Sequence, residues 1–484
     1  MKKHLKKLFM ATLSLSLCAT TCFTACKVND EKDSDLVVAT GTPEYVDDKA
    51  MGLIGYAMPA YKEGDEAYNE ESIKKIKEAG FTGMFIDSWS GPAMNTPEFS
   101  QLLGWFDKYG LDAYLTLGNG WENRGNGTHA PNATYDYTWK KLESITVDYS
   151  VFDCFKGVNI FDEPGGVNGN SFNEAINDFN FIESQYEYWK TMWDENSENY
   201  VFSKGDYTDY LFFVNGCGDF NNVYKPLTQR IYPNLANKLV SYDYYFMDYD
   251  SRNDKAFFQD MNLFHLGNYA TSAKELNAPL WVYTETYSTQ AGTKRGDKGL
   301  FNREDILFQN NLYMTFGCKN IEYFVYGTAA GYIGLTNSMG GETATYNIVK
   351  TINEEISAWD HIFLNFDWQG TIPVVGTKNT QGAPSDFENF VNGALESSPR
   401  IDKVQATRDT LIGCFKDDKN FDGFYVTNYS DPFYGRSDEV SITFKKATKA
   451  IECYNGRVTE IELENGLYSK TLNAGEGVFI IPIV

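Results

Sequence analysis

FKGVNIFDEP, residues 155–164, is the stretch from which the architecture can be read. Phe155, Val158, Ile160 and Phe161 make it apolar without strict alternation, and its acids, Asp162 and Glu163, come only at the end, before Pro164. A run of this kind suits a parallel strand covered on both faces rather than a half-solvated one. Seven more runs share the texture, at 52–60, 81–89, 111–118, 210–216, 239–246, 279–287 and 321–326. Helical patterns separate them. Residues 70–79 (EESIKKIKEA) are amphipathic and stop at Gly80, and 97–109 repeat the device with Gly110. The stretch 171–196 is long and aromatic-rich, 303–316 ends at Gly317, and 345–365 follows the last strand. Eight strand–helix units over roughly 310 residues predict a (β/α)8 barrel of the TIM type at 51–367. The rival, a doubly wound sheet, calls for a glycine-rich phosphate turn after the first strand, and none is present.

After Asp367 the texture changes to short β-type runs broken by turns, at 371–375, 410–415, 423–428, 439–444, 449–453 and 475–483. Residues 368–484 are therefore expected to form an antiparallel β-sandwich, bracing the barrel rather than binding ligand. The segment 418–423 (DKNFDG) starts like an EF-hand loop, but Tyr429 stands where the closing glutamate belongs, so a hairpin turn is expected.

The chain begins with a segment that is not fold. Lys2, Lys3, Lys6 and Lys7 precede an apolar stretch, 8–17, too short to cross a bilayer as a helix. Phe23-Thr24-Ala25-Cys26 is similar to the lipobox of bacterial lipoproteins, which implies removal of 1–25 and lipidation of Cys26; an ordinary secretory signal is the alternative. Residues 26–50, polar and charged, read as a flexible tether. The chain is thus expected to be exported, facing the cell surface or periplasm and touching membrane only through its lipid. Its net charge of −24 becomes −28 without the four leader lysines, which excludes nucleic acid as a partner.

Five cysteines lie beyond Cys26 (Cys154, Cys217, Cys318, Cys414, Cys453), an odd number without CxxC spacing. His129, His265 and His361 stand in no metal-binding or Ser/His constellation, so neither a metal site nor a cofactor is expected. Carboxylates are the reactive groups that remain. Active sites of such barrels form at the C-terminal strand ends, where strand four finishes in Asp162-Glu163 and strand seven in Thr284-Glu285-Thr286. Two glutamates on opposite sides of one barrel mouth suit glycoside cleavage. That reaction needs one carboxyl group protonated beside the leaving oxygen and another facing the anomeric carbon. Around them, Asp87, Trp89, Asn119, Trp121, Asn215, Asp243, Tyr245 and Tyr326 follow or close other strands, a ring suited to the hydroxyls and faces of an oligo- or polysaccharide.

On these residues the chain resembles the clan A glycoside hydrolases, β-galactosidase-like members in particular. The resemblance covers roughly residues 52–484, including the 342–355 segment (ETATYNIVKTINEE) and the tail Gly475-Glu476-Gly477-Val478-Phe479. It implies Glu163 as acid/base and Glu285 as nucleophile of a retaining double displacement. It also implies a tyrosine near the end of strand six (Tyr242-Asp243-Tyr244-Tyr245) bonded to that nucleophile. The chain departs from the pattern at Asp162, where asparagine is usual. An Asp-Glu pair also resembles the substrate-assisted N-acetylhexosaminidases, in which the Asp orients a 2-acetamido group that attacks in place of Glu285. A third reading is a catalytically silent surface barrel that binds glycan. Glu163 is the proton donor in both catalytic readings.

Overall fold

The computed structural model describes residues 36–59, 69–86, 94–116, 145–164, 172–217, 223–250, 252–259, 261–289, 302–328, 331–378 and 384–484. Eight parallel strands close into a barrel in chain order: β1 (Gly52–Tyr56), β2 (Gly83–Ile86), β3 (Asp112–Thr116), β4 (Phe155–Asp162), β5 (Leu211–Gly216), β6 (Val240–Tyr242), β7 (Leu280–Glu285) and β8 (Cys318–Phe324). Pairing of β1 with β8, Gly52 opposite Asn320, seals the ring. The eight expected runs are these strands, and the least accurate is the sixth, which pairs over only three residues.

Both-sided burial explains the uniform apolar texture. Leu53, Met84, Val158, Val214, Val282 and Ile321 point outward into the core shared with the helices. Ile54, Tyr56, Phe85, Tyr114, Phe213, Trp281 and Tyr283 point inward and fill the lumen. Phe85 stacks near Tyr283 with centroids 6.1 Å apart, and Phe213 lies 5.7 Å from Trp281. Much of the chain's aromatic content is therefore barrel packing.

The surrounding helices are α1 (Glu70–Glu78), α2 (Pro97–Tyr109), α3 (Phe172–Thr191), α4 (Lys225–Arg230), α5 (Asn262–Leu276), α6 (Arg303–Thr315) and α7 (Ala344–Ser357). Asn69 and Ser72 cap α1 reciprocally, and α2 runs from the Thr96 cap to a left-handed Gly110 with φ 61°. The expected helix at 345–365 is instead α7 followed by a separate turn of helix, Asp360–Phe363. The sequence reading missed α5, whose buried Asn262, Gly267 and Asn268 blur its apolar stripe. No described helix is long and apolar enough to cross a membrane.

The sandwich holds β9 (Phe366–Val374), β10 (Ile401–Ala406), β11 (Thr410–Asp417), β12 (Asp422–Asn428), β13 (Asp438–Phe444), β14 (Lys449–Tyr454), β15 (Arg457–Glu462), β16 (Leu467–Leu472) and β17 (Gly477–Ile483). One sheet is ordered β9-β11-β12-β17-β14-β15 and the other β10-β13-β16. The DKNFDG segment is the β11–β12 hairpin turn, with the Asp417 carboxylate accepting from the Lys419 and Phe421 amides at 3.0 and 2.7 Å. The expected tether is corrected where it is described: residues 36–50 lack helix and strand but are docked, not free. Tyr45 packs on Phe366 and donates to Asp417 at 2.9 Å, and Lys446 donates to the Leu36 carbonyl at 2.7 Å.

Helix α6 joins the two halves. From Asp305 to Thr315 every residue is buried, because the barrel covers one side and the sandwich the other. Its three consecutive amides are accordingly all engaged. Gln309 bonds the Glu285 backbone on β7. Asn310 accepts from Thr284 at 2.6 Å and donates to Tyr323 at 2.9 Å. Asn311 donates to the Gly475 carbonyl at 2.8 Å and accepts from the Tyr425 hydroxyl at 2.7 Å. Asn311→Leu would strand both sandwich partners without water. We expect a loss of about 2–4 kcal/mol in chemical unfolding; a change below about 0.5 kcal/mol would contradict this role.

Candidate active site

Two backbone irregularities deliver the acids of β4. Asn159 pairs with Phe213 and Phe161 with Val214, so one extra residue is inserted between them. Ile160 and Phe161 both pack outward, and Asp162 returns to the lumen beside Asn215, where strict alternation would have pointed it away. The next residue, Glu163, has φ 52° and anchors its N–H on the Asn215 carbonyl at 3.0 Å. A left-handed glutamate costs roughly 1–2 kcal/mol. That strain holds the side chain at the barrel mouth.

Asp162 and Glu163 meet Asp243, which follows β6 and fixes its own N–H on the Gly216 carbonyl at 3.0 Å. Glu163 hydrogen-bonds Asp243, and the Cys217 thiol, just after β5, donates to Glu163. Burial, then the Glu163 charge, push the Asp162 carboxyl up to about 7, while the Asn215 amide pulls the other way. Asp243 is raised well above the ordinary carboxylate range by burial first, then by the charges of Glu163 and Asp162. Burial and the same three acids raise the Cys217 thiol. Titration here belongs to the cluster rather than to one residue.

Glu163, Cys217 and Asp243 bring potential ligand atoms within 4.8 Å of one another, a donor set of the type that binds zinc. As placed, the thiol donates to Glu163 and Glu163 shares a hydrogen bond with Asp243. The three groups thereby satisfy one another as a proton-sharing set.

A polar chain leads from the mouth into the lumen. Asn215 Nδ2 donates to Asp162 Oδ1 at 2.9 Å, and Ser241 Oγ lies 2.8 Å from Asn215 Oδ1 and 3.3 Å from Glu322 Oε2. Glu322, on β8, is fully buried, and burial foremost raises its carboxyl well above the usual range.

Glu285 ends β7 in phase with the lumen-facing Trp281 and Tyr283. β6 stops opposite Val282, so the Glu285 backbone has no β6 partner; Gln309 of α6 supplies both bonds, at 2.8 and 3.2 Å. Burial first, then the neighbouring Glu285 carboxylate, raises the Tyr287 phenol. Beside it stand Tyr245, Phe324 and Tyr332, with Tyr287–Tyr332 centroids 4.7 Å apart. Tyr332 belongs to a two-residue strand, Tyr332–Ile333, paired with Ser288–Thr289 over this corner of the mouth.

The structure therefore gathers Asp162, Glu163, Asn215, Asp243 and Tyr245, the last in the field of Asp243 and Glu163. Tyr326 is a correction: it is fully buried outside the lumen, edge-on to Phe81 at 5.3 Å, because Phe324 and Val325 both face the lumen and the next side chain is therefore turned outward. Asp87, Trp89, Asn119, Trp121 and Cys26 lie outside the described residues. The tyrosine whose phenol lies beside Glu285 is Tyr287, two residues past the end of β7, rather than one near the end of strand six. Cys217, Ser241, Tyr287, Glu322 and Tyr332 were not singled out from sequence. A polar residue inside a barrel strand, Ser241 or Glu322, was the one available signal.

No protein-family model matches the chain, and no curated protein matches it. Among solved structures, it is similar to a beta-galactosidase from the Antarctic haloarchaeon Halorubrum lacusprofundi. The identity is 14%, the TM-score 0.40, and 63% of this chain is covered. The chain spans 58% of that enzyme's length. It is also similar to a GH27 β-L-arabinopyranosidase from Geobacillus stearothermophilus, with 10% identity and a TM-score of 0.44 over 90% of this chain and 97% of the other. Both names are those of glycosidases; the barrel itself is established by its own strand order.

The Asp162 carboxyl lies near 3.9 when unfolded and, within the folded cluster, is pushed up to about 7 by burial and the Glu163 charge. Its favourable contribution is complete below about pH 4 and is lost as pH rises through about 7, where the folded protein must hold a buried charge. Asp162→Asn should therefore raise stability relative to wild type at about pH 8 more than at about pH 4 in parallel melts. A difference independent of pH would contradict the shifted carboxyl.

Proposed function

We propose that this chain is a glycoside hydrolase working at the C-terminal mouth of its barrel. The observation that carries the proposal is the Asp162–Glu163–Asp243 set, which retains protons near neutrality beside an aromatic wall. A proton held there is what a leaving glycosidic oxygen requires, and a strained, positioned Glu163 is its donor. Glu285 is separately held through its backbone by Gln309, with the Tyr287 phenol beside its carboxylate, which suits the group facing the anomeric carbon in a double displacement. Tyr332 and Tyr245, both partly exposed, offer ring faces to a sugar.

A second reading is favoured by one observation, the inward turn of Asp162 beside Glu163. That placement suits an acidic residue orienting a 2-acetamido group that attacks in place of Glu285. In either case the substrate is an oligo- or polysaccharide. Export and a lipid on Cys26 are part of the proposal, supported by the lysine-rich start, the short apolar stretch and the cysteine that follows.

The test is a panel of aryl glycosides with and without 2-acetamido groups, offered to wild type, Glu163→Gln, Glu285→Gln and Asp162→Asn. Double displacement predicts turnover by wild type and a loss of at least about a thousandfold in kcat for Glu285→Gln. Substrate assistance predicts turnover of 2-acetamido substrates only, with the large loss in Asp162→Asn. Glycan binding without turnover of any substrate would overturn both and leave a surface binding barrel.

A further inference from the structure

We propose that Glu322 is a positioning residue for this site: a protonated carboxylic acid inside the barrel that, through Ser241 and Asn215, fixes which face of the Asn215 amide Asp162 meets. The inference deepens the catalytic reading of the mouth and rests on it for its consequence, though not for its chemistry.

A serine hydroxyl has one hydrogen to donate. Ser241 Oγ lies 2.8 Å from Asn215 Oδ1, an oxygen that only accepts, so its hydrogen is used there. The remaining contact, 3.3 Å from Ser241 Oγ to Glu322 Oε2, then needs its hydrogen from Glu322. The chain acquires a direction: Glu322 donates to Ser241, Ser241 to Asn215 Oδ1, and Asn215 Nδ2 to Asp162 Oδ1 at 2.9 Å. With this order set, the amide cannot flip without breaking two bonds.

The surroundings of Glu322 agree. Its neighbours with titratable groups are Asp162 from β4, Tyr114 from β3, Tyr283 from β7 and Cys318 from its own strand, and none carries positive charge. Glu322 Oε1 is buried with no hydrogen-bond partner among the described residues. An ionised carboxylate there would face one hydroxyl and an aromatic lumen, a costly burial, whereas a neutral acid needs only the one acceptor that Ser241 provides. Glu322 stands opposite Tyr283 in the β7–β8 register, below the mouth, so substrate does not reach it. Its effect on chemistry passes through Asp162.

Two variants separate positioning from packing. Glu322→Gln keeps a donor toward Ser241, whereas Glu322→Leu keeps bulk and removes it. The readout is the Asp162 carboxyl titration in protein labelled with 13C-aspartate, its signal assigned by absence in Asp162→Asn. Infrared difference spectra of wild type against Glu322→Gln at neutral pH accompany it. We expect the protonated-acid C=O band to disappear in Glu322→Gln, with Asp162 titrating as in wild type. In Glu322→Leu the Ser241 hydroxyl is no longer held as donor to Asn215, the amide is free to turn its oxygen toward Asp162, and the Asp162 titration should rise by about one unit. Absence of that band, or equal displacement of Asp162 in both variants, would overturn the proposal. Neither measurement uses a substrate, so wild type inactive on every glycoside would refute the proposed function while the Glu322 result still stood.

Discussion

Carboxyl groups crowded into a place with little water cannot all be charged, and the barrel mouth is arranged around that constraint. Asp162, Glu163 and Asp243 arrive from two strand ends, and the field of each raises the cost of ionising its neighbours. Protons are held as a consequence of position rather than of any single partner. Reaching the position has its own cost. β4 carries an extra residue to turn Asp162 inward, and Glu163 adopts a left-handed backbone that glutamate disfavours. A fold optimised only for stability would have neither. Together they are what places an acid pair where the lumen opens.

On another side of the ring, helix α6 is held between the barrel and the sandwich. A helix with no solvent face has to satisfy its polar side chains internally. Gln309, Asn310 and Asn311 do so in three directions: to the backbone of Glu285, to the β7 and β8 side chains, and to the sandwich. Asn310 extends the path through Tyr323 to Asn353 of α7 and on to the Ala79 carbonyl behind α1. The C-terminal domain thus supports the strand that carries Glu285.

The barrel was legible in the sequence because parallel strands are buried on both faces and so read as unbroken apolar runs. The edge and outer strands of the sandwich were not: β15, with Arg457, Thr459 and Glu460 exposed, looks like a polar loop until its pairing with β14 is known. The placement of Glu163 at the mouth was legible because it follows directly on the end of a barrel strand. The inward turn of Asp162 was hidden, since a bulge changes side-chain phase without changing composition. Tyr326 was misjudged for a related reason: its place just past β8 suggested the mouth, but Phe324 and Val325 both face the lumen and the change of phase turns Tyr326 into the outer core. Glu322 was passed over as one acid inside an apolar strand, which only the closed lumen shows to be isolated from solvent.

The most direct test of the account is a crystal structure of Glu163→Gln with a bound oligosaccharide. We expect a glycosidic oxygen within about 3 Å of the residue 163 side chain, with one sugar ring against Tyr332 or Tyr245. Sugar bound on the sandwich, or in the mouth with its glycosidic oxygen turned away from residue 163, would contradict it.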